Sequence, residues 1–194
     1  MRLFFILLLL ILNYSFANDI SDEDLFNYVE SSAKQGNAEQ QALLGVFYME
    51  GRYVTKDPVE GVKWLQLAAE QGESVAQSFL GAAYGSGEGV EQNFTKALKW
   101  HKLAADQNEA ESQRLIGVLY LNGSGVRQNY AEAIKWFKLA AEQNNAASQL
   151  LLGYMYLEGK GVRQNYAEAR EFFGQACDNG NQLGCDGYKI LNQL

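Results

Sequence analysis

The nine residues GVRQNYAEA at 125–133 recur letter for letter at 161–169, 36 positions later. Sliding the chain by the same step aligns much more. Gly45, Gly81, Gly117 and Gly153 fall in register, as do Tyr48, Tyr84, Tyr120 and Tyr156. So do Gly51, Gly87, Gly123 and Gly159, and Val54, Val90, Val126 and Val162. Trp64, Trp100 and Trp136 are followed at that step by Phe172. A fixed period of this length marks stacked supersecondary units, each unable to bury its apolar face without a neighbour.

Each unit reads as two helices. The first, for example Glu111–Asn122, is apolar at Leu115, Ile116, Leu119 and Tyr120, a helical spacing, and stops at Gly123. After the loop GSGV, Asn129 caps a second helix, with Glu132 as its capping-box partner; Asn165 and Glu168 repeat this. Asp57 and Glu60 do the same with Pro58 at the first helical position. Asn93 has Lys96 in place of the Glu, which predicts a weaker cap. The second helix carries Ala133, Trp136, Phe137, Ala140 and Ala141 on one face and stops at Asn144, equivalent to Gly72, Asn108 and Gly180. The four glycines inside the first helices each cost about 1 kcal/mol against Ala. Their persistence predicts close approach of the partner helix, with Trp64, Trp100, Trp136 or Phe172 fitting nearby.

The ends share the register. LFNYVESSAKQG reads as an opening second-type helix with Tyr28 at the Trp position and Ser21 as its cap, and NQLGCDGYKILNQL as a closing first-type helix. About ten helices in one rod are expected. Ahead of them, MRLFFILLLLIL holds one Arg and then an apolar run, Leu3–Leu12, too short to span a bilayer. Ser15 and Ala17 stand where a signal peptidase reads small residues, so residues 1–17 are read as a cleaved secretory signal. The expected organisation is a signal at 1–17, a capping helix at 18–36, four repeats at 37–180 and a closing helix at 181–194. With 23 acidic against 16 basic residues, the chain has no electrostatic footprint for nucleic acid.

The pattern LLGYMYLEGKGVRQNYAEAREFFGQA, with its relatives upstream, closely resembles the SEL-1-like repeat, a cousin of the tetratricopeptide repeat. The resemblance covers about residues 37–180. It implies an all-α, right-handed α/α superhelix with the first helices lining a concave side. It also implies an adaptor that binds another protein or peptide, in the periplasm or secreted, with no cofactor and no membrane insertion once the signal is cleaved. Cys177 and Cys185, with seven residues between them, resemble the secreted Helicobacter cysteine-rich branch, in which such a pair forms a disulfide between adjacent repeats. Upstream the equivalent positions hold Ala69, Ala105 and Ala141, and Gln41, Gln77, Gln113 and Gln149. Those repeats are therefore expected to cohere by packing alone.

Some members of that branch have been described as penicillin-binding proteins or weak β-lactamases, which makes a peptidoglycan- or β-lactam-interacting hydrolase the alternative reading. Such chemistry needs Ser-x-x-Lys with Ser-Asp-Asn and Lys-Thr-Gly elements. Ser31 and Lys34 supply the first near a helix end, and neither other element is present. Ten Ser and ten Lys in this length make such a pair an expected coincidence. His101, the one histidine, occupies the packing slot of Leu65, Phe137 and Phe173, and is read as a partly buried structural residue. One His and two paired Cys make no zinc site. Asn93-Phe94-Thr95 and Asn122-Gly123-Ser124 are glycosylation sequons, which count only in a eukaryotic host, and capping already accounts for Asn93.

Removing the repeat-defining positions leaves apolar residues on the first helices. Arg114, Val118, Leu121, Leu150, Tyr154 and Leu157 then share one register, together with Val46, Met49 and Ala82. Two readings stand for them: packing between neighbouring first helices, or a peptide-recognition groove with one cationic anchor.

Overall fold

The computed structural model describes residues 21–193, so the proposed signal at 1–17 lies outside the described residues. Ten helices follow one another in it: α1 Asp22–Lys34, α2 Ala38–Glu50, α3 Pro58–Glu70, α4 Ser74–Ser86, α5 Phe94–Asp106, α6 Ala110–Asn122, α7 Tyr130–Glu142, α8 Ala146–Glu158, α9 Tyr166–Asp178 and α10 Gln182–Leu191. The first-type helices are α2, α4, α6, α8 and α10. The second-type helices are α1, α3, α5, α7 and α9.

The boundaries follow from local chemistry. Ser21, Asn37, Asp57, Asn93, Asn129, Asn145, Asn165 and Asn181 each accept a backbone N–H of the first turn. Glu73 and Glu109 do so for α4 and α6. The cap at Asn93 is as well formed as the others: Lys96 N donates to its Oδ1 at 3.0 Å, against 3.1 Å for Glu132 N to Asn129. The expected weakness is absent because Glu60 and Glu132 turn to Lys63 and Lys135 one turn on. At the other ends, left-handed residues close the helices: Gly123 at φ 73° for α6, and Asn108 and Asn144 at φ 64° and 61° just beyond α5 and α7.

α3, α5, α7 and α9 each pack between two first helices and α1 packs against α2, while first helices also touch one another (α2 with α4, α4 with α6, α8 with α10). Contact along that side puts the first helices on the inside of the curve. The result is an all-α, right-handed superhelix.

Two expectations are corrected here. The glycines of the first helices make room for the residue after the Trp, not for the Trp. A Cβ on Gly45 would lie 2.7 Å from Leu65 Cγ, on Gly81 2.7 Å from His101 Cε1, and on Gly117 and Gly153 2.5 Å from the rings of Phe137 and Phe173. Leu65, Phe137 and Phe173 are fully buried. The indoles stay half-buried at the rim: Trp64 joins Tyr48 and Val54, Trp100 joins Tyr84 and Val90, and Trp136 joins Tyr120 and Val126. In the last repeat Phe172 stacks on Tyr156 at 5.5 Å.

The upstream repeats are also not held by packing alone. Gln41, Gln77 and Gln149 are buried, and each donates its side-chain N–H to the carbonyl eight residues back, on Ala33, Ala69 and Ala141 at 3.1–3.2 Å. Gln113, also buried, turns to Asn108 Oδ1 at 3.4 Å. Those are the register positions of Cys185 and Cys177, which form a disulfide with Cα atoms 4.5 Å apart. The residue ending the next second helix completes the stitch: Gln71, Gln107, Gln143 and Asn179 donate to Gln41, Gln77, Gln113 and Gln149 at 2.6–3.0 Å. Each buried amide is thereby satisfied across a repeat boundary, which removes the cost of burying it.

Candidate functional site: the inner wall

Along the first helices the inner wall is built from three register rows. Ala42, Ser78, Arg114 and Leu150 form one, Val46, Ala82, Val118 and Tyr154 the second, and Met49, Gly85, Leu121 and Leu157 the third. The first repeat is the most closed, and Ala82 and Tyr154 are the exposed members of the second row. Ala42 and Val46 are buried, whereas Arg114, Val118, Leu121, Leu150 and Leu157 are half-buried and Tyr154 is 40% exposed. The Tyr154 ring packs edge-to-face with Phe173, with centroids 5.1 Å apart, which braces the exposed aromatic.

The third row also serves the helix pair. Met49 Cγ would be 2.8 Å from a Cβ on Gly61, and Leu121 and Val118 pack against the cluster of Ala133, Ile134 and Phe137. Arg114 is engaged as well. Its Nε donates to Glu111 Oε2 at 2.9 Å and its Nη2 to Oε1, and the bond to Glu111 raises the guanidinium pKa despite burial. Asn145 reaches the same carboxylate at 3.4 Å.

Under this wall runs a polar chain that the sequence reading did not foresee. His101 is fully buried rather than partly so, 3% exposed, with Nδ1 3.1 Å from Ser112 Oγ. Ser112 donates to Ser78 Oγ at 2.9 Å, and Ser78 faces Glu109 Oε2 at 3.4 Å. Burial pushes the His101 pKa down to about 4; Glu111 opposes that and Arg114 adds to it. One repeat later Phe137 replaces His101, and Ser148, the equivalent of Ser112, is left with a buried hydroxyl that has no partner. One substitution in register, Phe for His while Ser is kept, was the available sequence signal.

Other predicted residues sit apart from the wall. Ser31 is exposed on α1, where Lys34 pairs with Glu30 at 2.9 Å. The described residues contain no group of three or more His, Cys, Asp or Glu placed to hold a metal ion, and no helix long and apolar enough to cross a membrane. Two clefts of about 620 and 630 Å³ open beside second helices at the C-terminal end. Arg170, Glu171 and Tyr188 line one, and Lys138, Phe172 and Asn179 the other. Leu67, Leu103 and Leu139 add an exposed row in register on second helices.

The family profile named Sel1 repeat matches residues 39–73, 74–109, 110–145 and 146–181. The chain belongs to the Sel1 repeat family. Among solved structures of this family, a protective antigen present in uropathogenic Escherichia coli strains, displaying an SLR fold, is 38% identical with a TM-score of 0.80. That likeness covers 86% of this chain and 35% of the antigen, so the chain spans about a third of that relative's length. A Sel1 repeat protein from Oxalobacter formigenes is 28% identical with a TM-score of 0.79, over 84% of this chain and 67% of that one. Cysteine-rich protein B of Helicobacter pylori is 27% identical with a TM-score of 0.52, over 64% of this chain and 95% of that one. No curated protein matches the sequence. Sel1 repeat proteins generally act as interaction scaffolds.

Proposed function

We propose that this chain is an exported Sel1 scaffold whose inner wall holds a segment of a partner protein in the periplasm or outside the cell. The observation that carries the reading is Tyr154: 40% exposed, braced against Phe173, and flanked in its rows by half-buried Leu150, Leu157 and Val118. A braced aromatic loses little side-chain freedom on binding, and aromatic and Arg side chains are the usual anchors of interfaces. Arg114 is already oriented by Glu111, so a partner carboxylate would meet a fixed cation at the cost of competing with that pair. Export is supported by the Cys177–Cys185 disulfide, which persists in oxidising compartments, and by the apolar N-terminal run. The test is photo-crosslinking from position 150 in the native envelope, compared between the parent chain and the Tyr154→Ser variant. A discrete crosslinked partner that Tyr154→Ser abolishes with helix content unchanged is the expected result. Equal crosslinking in the folded variant moves the site off this wall.

A further inference from the structure

The four caps that open second helices within the repeats are Asp57, Asn93, Asn129 and Asn165. Two residues before them stand Thr55, Glu91, Arg127 and Arg163; two residues after them stand Val59, Thr95, Ala131 and Ala167. In the two repeats that spell GVRQNYAEA, the pattern is Arg before and Ala after. Around Asn93 both positions depart at once, to Glu and to Thr, giving Glu91-Gln92-Asn93-Phe94-Thr95. Asn-x-Thr is the acceptor for N-linked glycan transfer. An acidic residue two positions earlier is the additional feature read by oligosaccharyltransferases of bacterial envelopes. The restriction to a eukaryotic host therefore falls for this sequon, and it holds for Asn122, which has Tyr120 at that place. We propose that Asn93 is an N-glycosylation site used in a bacterial envelope, with Glu91 and Thr95 as its recognition residues.

The geometry separates the two roles of Asn93. Capping uses Oδ1, which accepts from Lys96 N at 3.0 Å. Glycosylation uses Nδ2, and Glu91, Gln92, Asn93 and Thr95 are all exposed. In the transfer, Nδ2 attacks the anomeric carbon of a lipid-pyrophosphate-linked oligosaccharide. A C–N bond forms, the C–O bond to pyrophosphate breaks with its electron pair on the leaving lipid pyrophosphate, and one of the two amide protons passes to a base of the transferase. The second amide proton and the capping oxygen remain, so the glycan and the helix coexist. Timing is constrained by the next repeat. Gly125 lies over the sequon, where a Cβ would be 2.5 Å from the Phe94 carbonyl carbon, and Thr95 Oγ1 donates to Gly125 O at 3.4 Å. Phe94 and Thr95 are already helical, so an extended Asn-x-Thr is presented only before that loop closes. Transfer precedes folding of the third repeat.

The inference rests on the export reading, and the experiment separates the two. The full chain is produced in a bacterium carrying an envelope oligosaccharyltransferase and its lipid-linked oligosaccharide, and the peptides and intact mass of the purified protein are measured. A glycan on the peptide containing Asn93, with Asn122 bare, is the expected result. Thr95→Ala and Glu91→Arg, which restore the register residues, should each abolish it, as should Asn93→Asp, which keeps a capping oxygen and removes the amide. A processed chain lacking residues 1–17 yet bare at Asn93 overturns the proposal. A chain still carrying Met1–Ala17 counts against export. In that case the urea-unfolded full chain is offered to purified transferase and lipid-linked oligosaccharide. Transfer to Asn93 of the unfolded parent, lost in Glu91→Arg and much slower on folded protein, supports the site; no transfer overturns it.

Discussion

Two glycines on helices of one type should respond oppositely to the same substitution because their surroundings differ. Gly117 lies inside α6, where an added Cβ would stand 2.5 Å from Phe137 Cε1, 2.6 Å from Cδ1 and 3.0 Å from Cζ. Phe137 is fully buried, so its ring has nowhere to swing. Gly85 lies inside α4, where the nearest atom to an added Cβ is Ala97 Cβ at 3.9 Å, an ordinary contact. Replacing Gly by Ala in a helix interior gains about 1 kcal/mol in both cases. At Gly85 nothing opposes it, so Gly85→Ala should stabilise by about 0.5–1 kcal/mol. At Gly117 overpacking costs about 1–3 kcal/mol, and a contact this short against an immobile ring belongs at the upper end. The net expectation for Gly117→Ala is a loss of about 2 kcal/mol, or roughly 4–8 °C in melting temperature for a chain of this size. Urea and thermal unfolding followed by circular dichroism read both variants, and Phe137→Leu in the Gly117→Ala background should recover part of the loss through a non-additive coupling. If Gly117→Ala raised the melting temperature as much as Gly85→Ala, the close packing of the helix pair through its glycine would be wrong.

His101 is neutral in the fold, with its pKa near 4 against 6.5 when unfolded. Between those values the unfolded chain binds the proton and the native one does not. Its share of stability is therefore full above about pH 6.5, falls as pH drops, and is lost by about pH 4, a total of about 3 kcal/mol. His101→Phe, which copies Phe137, should flatten this window; stability curves of the two proteins that stay parallel from pH 7.5 to 4.5 would refute the assignment. Gln149→Ala removes the bonds it makes to Ala141 O and receives from Asn179, which keep Asn144 N and Gln175 O as partners, and should cost about 0.5–1.5 kcal/mol by urea titration. Placing Cys at both 141 and 149 should instead close a disulfide in air, detectable as loss of maleimide-reactive thiols, because these positions repeat the geometry of Cys177 and Cys185. Reducing the native bridge should lower stability by about 2–3 kcal/mol in the chain-entropy model, with hydrogen exchange rising first in α10.

The repeat, the helix pairs and their caps were legible in the sequence because they rest on local rules. A cap needs an oxygen before the first turn, a stop needs a residue tolerant of positive φ, and a period of 36 repeats both. The inner wall was legible only in part. Register assigned Tyr154 and Leu121 to the same side, but it did not tell how much of each the neighbours cover. Tyr154 stands open against Phe173, while Leu121 is shared with the Ala133 cluster. That depends on the size of side chains on other helices, which spacing along one helix does not encode.

By itself the sequence determined the all-α solenoid and the number of helices, since both follow from backbone preference repeated in register, and it marked Gly45, Gly81, Gly117 and Gly153 as packing positions, since a helix interior otherwise disfavours glycine. Only the tertiary structure decided which side chain fills each glycine notch. The Trp and the residue after it point about 100° apart around a helix, and the crossing of the two helices selects between them. It also decided that Gln41, Gln77, Gln113 and Gln149 serve as stitches between helices. An amide at a buried register position is a liability or a link according to whether its N–H finds an acceptor and its oxygen a donor within about 3 Å; here the acceptors come from the end of the preceding second helix, or from Asn108 just beyond it, and the donors from the end of the next second helix.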